Sequence, residues 1–244
     1  MTIQEFSDGF DALISSFSST ANFGDETSKR DLAFDEYEKS QFLTIAQEEI
    51  VVNLYTGNNP KGDSFEFSEE VRRYLANLVV DKNLKPITNT SGTPLGVSTN
   101  SKFFTLPDNP RIWFLIYETV IISNGKCEGK TSMKVYPIRH DEYQNIKDNP
   151  FRGANDRRAL RLDLSEGNVE IVCKYNVTDY YIRYIKKLTP IILVDLPEGL
   201  TINGKSKATE CELHEALHHR ILERAVMLAL QSKGISLNKE IRDN

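Results

Sequence analysis

Residues 180–193 read Tyr180-Tyr181-Ile182-Arg183-Tyr184-Ile185-Lys186-Lys187-Leu188-Thr189-Pro190-Ile191-Ile192-Leu193, an aromatic and β-branched run interrupted by a proline. Such a composition favours a strand, and alternate side chains of a strand pack one face and expose the other. Tyrosines left exposed on an oligomer face serve as interface anchors. Past a loop, Cys211-Glu212-Leu213-His214 opens a long helix whose stripe Leu213, Leu217, Ile221, Ala225, Leu228 and Ala229 falls at helical spacing. The order is strand, proline, loop, helix.

Working back from this stretch, β-type runs occupy residues 113–122, 132–137, 159–164, 169–175 and 180–187. Asn124-Gly125 and Glu166-Gly167-Asn168 are turn signals between pairs of them. Residues 112–117 also fit an opening helical turn. A short helix at 140–147 interrupts the strands. The first hundred residues read differently. Ile3, Phe6, Phe10, Leu13, Ile14 and Phe17 predict an amphipathic helix that ends in a serine run. Asp35 with Glu38 has capping-box form and starts a helix that ends at Gly57. Ser68 caps a third helix through Val79. Residues 82–102 are a long polar loop, a length found in disordered segments or in arms that order against a neighbour. The expected fold is α+β: N-terminal helices, an embedded antiparallel β-domain and a long C-terminal amphipathic helix. The expected division is a helical domain of residues 1–106 with 208–233 and a β-rich domain of 107–207.

The chain has 244 residues, 39% of them hydrophobic, enough for a real core. Thirty basic and 35 acidic residues give a formal charge of −5, without the basic excess of a protein that grips nucleic acid. DNA is expected to be passed rather than held. Cys127, Cys173 and Cys211 form no CxxC pair, which argues against a disulfide framework and a thiolate metal site. No secretion signal or membrane-length apolar run is evident, so the sequons at Asn89 and Asn176 are expected to stay bare.

His214-Glu215-Ala216-Leu217-His218 is a literal HExxH. On a helix its histidines share one face and can bind zinc while the glutamate activates water. The extended motif needs Gly and His where Ile221 and Arg224 stand, and Glu240 is the one glutamate available from a following segment. The apolar stripe continues past the motif, so the helix is needed for packing in any case. His140 reads as a solvated helix terminus and Cys173 as a buried inert thiol. There is no GxSxG, P-loop or GxGxxG, and nothing spells a cofactor. Arg152, Arg157, Arg158 and Arg161 cluster in ten residues. Their readings are phosphate contact, or a solvated or subunit-contacting set paired with Asp156 and Asp163.

The opening Met1-Thr2-Ile3-Gln4-Glu5-Phe6-Ser7, the Asp35-Glu36-Tyr37-Glu38-Lys39-Ser40 helix start, Tyr181-Ile182-Arg183-Tyr184, and Gly199-Leu200-Thr201-Ile202-Asn203-Gly204 before Cys211-Glu212-Leu213 resemble structural proteins of crAss-like phages of gut Bacteroidales. Within these, the chain resembles ring proteins of the portal-proximal head-to-tail connector. The resemblance implies a non-enzymatic virion subunit, assembled as a ring of twelve copies at the portal–tail junction and made in the host cytoplasm. The ring extends the portal channel, joins capsid to tail and conducts double-stranded DNA without specific binding. Its partners are the portal and neighbouring tail or ring proteins, with no membrane, cofactor or metal. Residues carried over for packing or contacts are Tyr181, Arg183, Tyr184, Pro190, Leu213, Leu217 and Ile221, to which the arginine cluster adds Arg157 and Arg158. A zinc-dependent hydrolase using His214, Glu215 and His218 is the competing reading.

Overall fold

Hydrophobic spacing of three and four residues makes the first segment a helix with one oily side. The computed structural model describes residues 1–20, 33–58, 62, 64–87, 97–98, 100–123 and 130–233. In it α1 (Ile3–Thr20) buries Phe6, Phe10 and Ile14. α2 (Glu36–Thr56) starts with the expected reciprocal capping box between Asp35 and Glu38, and stops at Gly57, whose φ of 80° is left-handed. α3 (Glu69–Leu75) follows Ser68, but the serine side chain makes no cap bond. The expected third helix is cut short, because a 3-10 turn over Ala76–Leu78 hands the chain to strand β1 (Val79–Leu84). The remaining elements are β2 (Lys102–Thr105), β3 (Ile112–Ser123), β4 (Lys130–Pro137), α4 (His140–Ile146), β5 (Arg158–Asp163), β6 (Asn168–Val172), β7 (Asn176–Lys186) and α5 (His218–Ser232). A 3-10 turn, Glu215–Leu217, leads into α5.

These elements form two compact units, one of Met1–Asn77 with Leu188–Asn244 and one of Leu78–Lys187. In the helical unit α5 packs on α1 and α2. Ile221, Leu222, Ala225, Val226, Ala229 and Leu230 are its buried stripe, preceded by buried Leu217 of the 3-10 turn, each large side chain contributing about 1.5–3 kcal/mol on burial. α2 buries polar groups too. Its Ser40, Thr44 and Gln47 have a purpose on that face: the segment after Lys187 pairs with Thr209 through Ile192, and neighbouring backbone groups are bonded by these side chains instead. Ser40 Oγ accepts from Leu193 N at 3.0 Å, Thr44 Oγ1 from Ile191 N at 3.1 Å, and Gln47 Nε2 donates to Thr189 O at 2.7 Å. Buried Lys39 is neutralised by Asp11 at 2.7 Å and Glu36 at 2.9 Å, which ties α1 to α2. Burial opposes its charge, but these carboxylates outweigh it and raise its pKa.

The other unit is one curled seven-stranded sheet in the order β1-β7-β3-β4-β5-β6-β2. Every neighbouring pair is antiparallel except β4 with β5, which are parallel and joined through α4. The inner face collects Phe104, Val120, Ile122, Met133, Val135, Ile171, Tyr180, Ile182 and Tyr184. A smaller cluster under α4 unites Tyr143, Ile146, Leu160, Leu162 and Val172. Residues 112–117 are strand, with register shifts that bend β3 against β7. β1 and β2 border the segment read as a loop from 82 to 102 and take its ends into the sheet. Of that segment, 88–96 and 99 lie outside the described residues, as do the linker at 21–32, the Asn124-Gly125 turn, Cys127, Asn89 and Glu240. Its described parts are tied down: Ile87 N donates to Phe103 O at 2.8 Å and Val97 N to Glu170 Oε1 at 2.6 Å.

Candidate functional site

Strand alternation divides the tyrosines of β7. Tyr180 and Tyr184 are fully buried, whereas Tyr181 and Arg183 stand on the outer face. Cross-strand register then builds that face. Tyr181 lies between Asn83 of β1 and Thr119 of β3; Thr119 pairs with Lys134 of β4, and Lys134 with Arg158 of β5. One row thus crosses five strands. In the next row Arg183 lies between Asp81 and Tyr117, and its Nε donates to Asp81 Oδ1 at 2.7 Å. Tyr117 and Tyr181 remain 49% and 39% exposed. The ring of Tyr136 is covered by the Arg158 guanidinium at 4.3 Å and the Lys134 ammonium at 5.2 Å. The face is a plate of tyrosines edged by cations.

The arginine cluster disperses. Arg158 is further held by the carbonyls of Phe151 and Arg152 at 3.1 and 3.3 Å. Arg152 pairs with Glu142 at 2.7 Å, and Arg157 is exposed. Arg161 turns inward, donating to Glu118, which also accepts from Tyr180 Oη at 2.5 Å; Asp163 Oδ1 lies 2.9 Å from Arg161 Nε. Burial disfavours the Arg161 charge and Glu118 outweighs it, so the pKa rises. Burial, then Glu118, push the Tyr180 phenol up. Asp163 is therefore an arginine partner as expected, but Asp156 serves Lys174 at 2.7 Å and Tyr175 Oη at 2.8 Å instead. Tyr117, Lys134 and Tyr136 were missed from sequence. Their signal was strand parity, since each shares a face with Tyr181 once the register is known.

The HExxH residues do not form a helical face. The α-helix begins at His218, one turn later than expected. His214 is the cap of the preceding 3-10 turn, and its Nδ1 accepts from Ala216 N at 3.2 Å. His214 is exposed, with its ring 5.6 Å from that of Tyr74. It lines a shallow cleft of about 400 Å³ with Glu69, Glu70 and Arg73, whose charges are engaged within α3: Arg73 with Glu69, and Tyr74 with Glu70. His218 is buried. Its Nε2 lies 3.0 Å from Leu213 O, its Nδ1 2.7 Å from the Met1 amine, and its ring 5.4 Å from Phe6. Burial holds its pKa below the ordinary value. The two imidazoles are thus committed to different partners, and among the described residues no three His, Cys, Asp or Glu side chains gather to hold a metal. The geometry speaks against the hydrolase reading.

Leu213, Leu217 and Ile221 are buried in the helical unit. Pro190 is buried as well, and its carbonyl accepts from Thr209 Oγ1 at 2.5 Å. Cys173 is buried with its thiol pKa raised by burial, and burial pushes that of Cys211 up to about 11. Burial thus favours the protonated thiol at both positions, the opposite of what activates a cysteine. Among the described residues no helix is long and apolar enough to cross a membrane.

Comparison with known proteins agrees with this architecture of surfaces rather than catalytic groups. The family model described as phage tail ring protein 3/4 matches residues 1–241. Ring protein 3 of Bacteroides phage crAss001 is 46% identical over 244 aligned residues, covering 98% of this chain and all of the relative. Ring protein 4/5 of the same phage is 32% identical over 238, covering 94% and 92%.

Proposed function

We propose, from the premise that this chain belongs to the phage tail ring protein 3/4 family, that it forms a ring of twelve copies below the portal, prolongs the portal channel and conducts double-stranded DNA from capsid to tail. It is a non-enzymatic structural protein of a crAss-like phage virion, and membership of the family carries assembly as a ring. The twelve-fold count, the portal contact and the place at the portal–tail junction are our reading. So is synthesis in the host cytoplasm before assembly.

The observation that carries the proposal is the match to ring protein 3 of Bacteroides phage crAss001, which spans 98% of this chain and all of that relative. The outer sheet face supports it, because tyrosine and arginine are the residues enriched where proteins meet. On this reading Tyr181, Arg183, Arg157 and Arg158 act at contacts. Tyr184, Leu213, Leu217 and Ile221 hold the fold that presents them, and Pro190 fixes the exit from β7. Native mass spectrometry of the chain, alone and with its portal, tests the proposal. A twelve-copy ring, free or formed on the portal, is the expected result; a chain that stays monomeric with the portal present would sink it.

A further inference from the structure

The division into two units separates charge as well as structure. Residues 1–77 with 188–244 carry 13 basic and 23 acidic side chains, a net −10, while residues 78–187 carry 17 and 12, a net +5. The modest −5 of the whole chain conceals this polarity. In the basic unit the outer sheet face is open over Tyr117 and Tyr181, which are exposed; exposed Lys134 and half-buried Arg158 border them, and α4 covers the face beyond. In the acidic unit the turn before α3 presents Phe67, 89% exposed, among the exposed carboxylates Glu66, Glu69 and Glu70.

We propose that the outer sheet face of one copy docks the acidic Phe67 turn of a second copy, and that this is a head-to-tail contact of the ring; the inference rests on the ring reading above. Phe67 would lie on the tyrosine plate as an aromatic anchor, with Glu66, and Glu69 in exchange for its solvent-exposed pairing with Arg73, facing Lys134 and Arg158. Pairing this face with itself across a two-fold axis would bring a second basic unit, rather than an acidic one, against Lys134 and Arg158. The same polarity favours a heterologous contact, in which every copy offers both surfaces and a closed ring satisfies all of them. Duplex DNA is the competing occupant. It suits the face less well, because Arg183 is already neutralised by Asp81 and the centre of the plate is aromatic rather than cationic.

Charge reversal in the full chain tests the contact. Lys134→Glu, and separately Glu66→Lys with Glu69→Lys, should each lower ring yield about tenfold in native mass spectrometry, with or without portal, and the three changes combined should restore it. All these side chains are exposed, so unchanged melting temperatures report that the variants fold. Carbodiimide coupling in mixed light and heavy isotope copies of the native chain should join Glu66 or Glu69 of one copy to Lys134 of another. Rings forming equally well from the single-surface variants, or cross-links that exclude Lys134, overturn the contact and leave the ring reading standing. Loss of DNA retention in Lys134→Glu with undiminished rings overturns it in favour of DNA. A native chain that forms no ring removes the reading, and the contact with it.

Discussion

Two ion pairs fasten strands of the same sheet, Arg161 to Glu118 on its inner side and Arg183 to Asp81 on its outer side. The inner partners are each 9% exposed at the side chain, and the outer ones 54% and 65%. Identical chemistry therefore works under opposite dielectric conditions. Water screens the outer pair and can replace either partner; among the described residues the inner pair has Tyr180 and Asp163 to satisfy what its members do not give each other. An interior built this way tolerates no missing member, whereas the exterior is free to spend its charges on a partner.

The comparison breaks most readily at Glu118. Glu118→Ala leaves Arg161 charged and buried, with an expected loss of about 3–5 kcal/mol in urea unfolding. Replacing Arg161 and Glu118 together by Met and Leu should recover most of it; a double variant as unstable as the single one would mean that shape, not charge, sets the cost. Tyr180→Phe removes one hydrogen bond to a charged group, and about 1.5–3 kcal/mol should disappear by the same measurement.

Asp179 sharpens the contrast through pH. It is buried, and Lys85 first and Asn83 second draw its pKa down to about 2. The depressed value means that the unfolded chain binds a proton before the folded one does. This contribution is complete above about pH 4 and lost as pH falls toward 2. Urea midpoints of the native chain and Asp179→Asn should converge over that interval, and parallel curves would contradict the assignment. The smallest effect belongs to the outer pair. Asp81→Ala should change stability by about 0–1 kcal/mol, and a larger loss would show that the outer face is structurally loaded even without a partner.

Much of this was readable in advance, and the exceptions share a cause. The Asp35 and Glu38 box, the Gly57 stop and the five main strands are local signals, so position in the sheet does not matter to them. β1 was hidden because Asp81, Lys82 and Asn83 look like loop, and only pairing with β7 at a sheet edge makes Val79–Leu84 a strand. The parallel pairing of β4 and β5 is a property of the crossover through α4, not of either strand's composition. Glu118 and Arg161 were legible in principle. Glu118 shares parity with Val120 and Ile122, and Arg161 with Ala159, yet a charge in a strand is ordinarily assigned to the wet side. The start of the last helix was misplaced for the opposite reason: the HExxH spacing is local, but a 3-10 turn replaces the α-helix that would align its histidines.

The position of β7 also bears on how the molecule comes off the ribosome. This strand, residues 176–186, sits between β1 and β3, and the helices of the first 56 residues pack against α5 at 218–232. The sheet cannot close its core before residue 186 has been made, nor the helical unit before α5 has followed it, because the early segments wait for late ones. A polypeptide released prematurely, anywhere before β7, would have neither the sheet whose outer face carries Tyr181 nor a closed helical unit. A copy terminated before β7 is thereby expected to fail as a building block through topology alone.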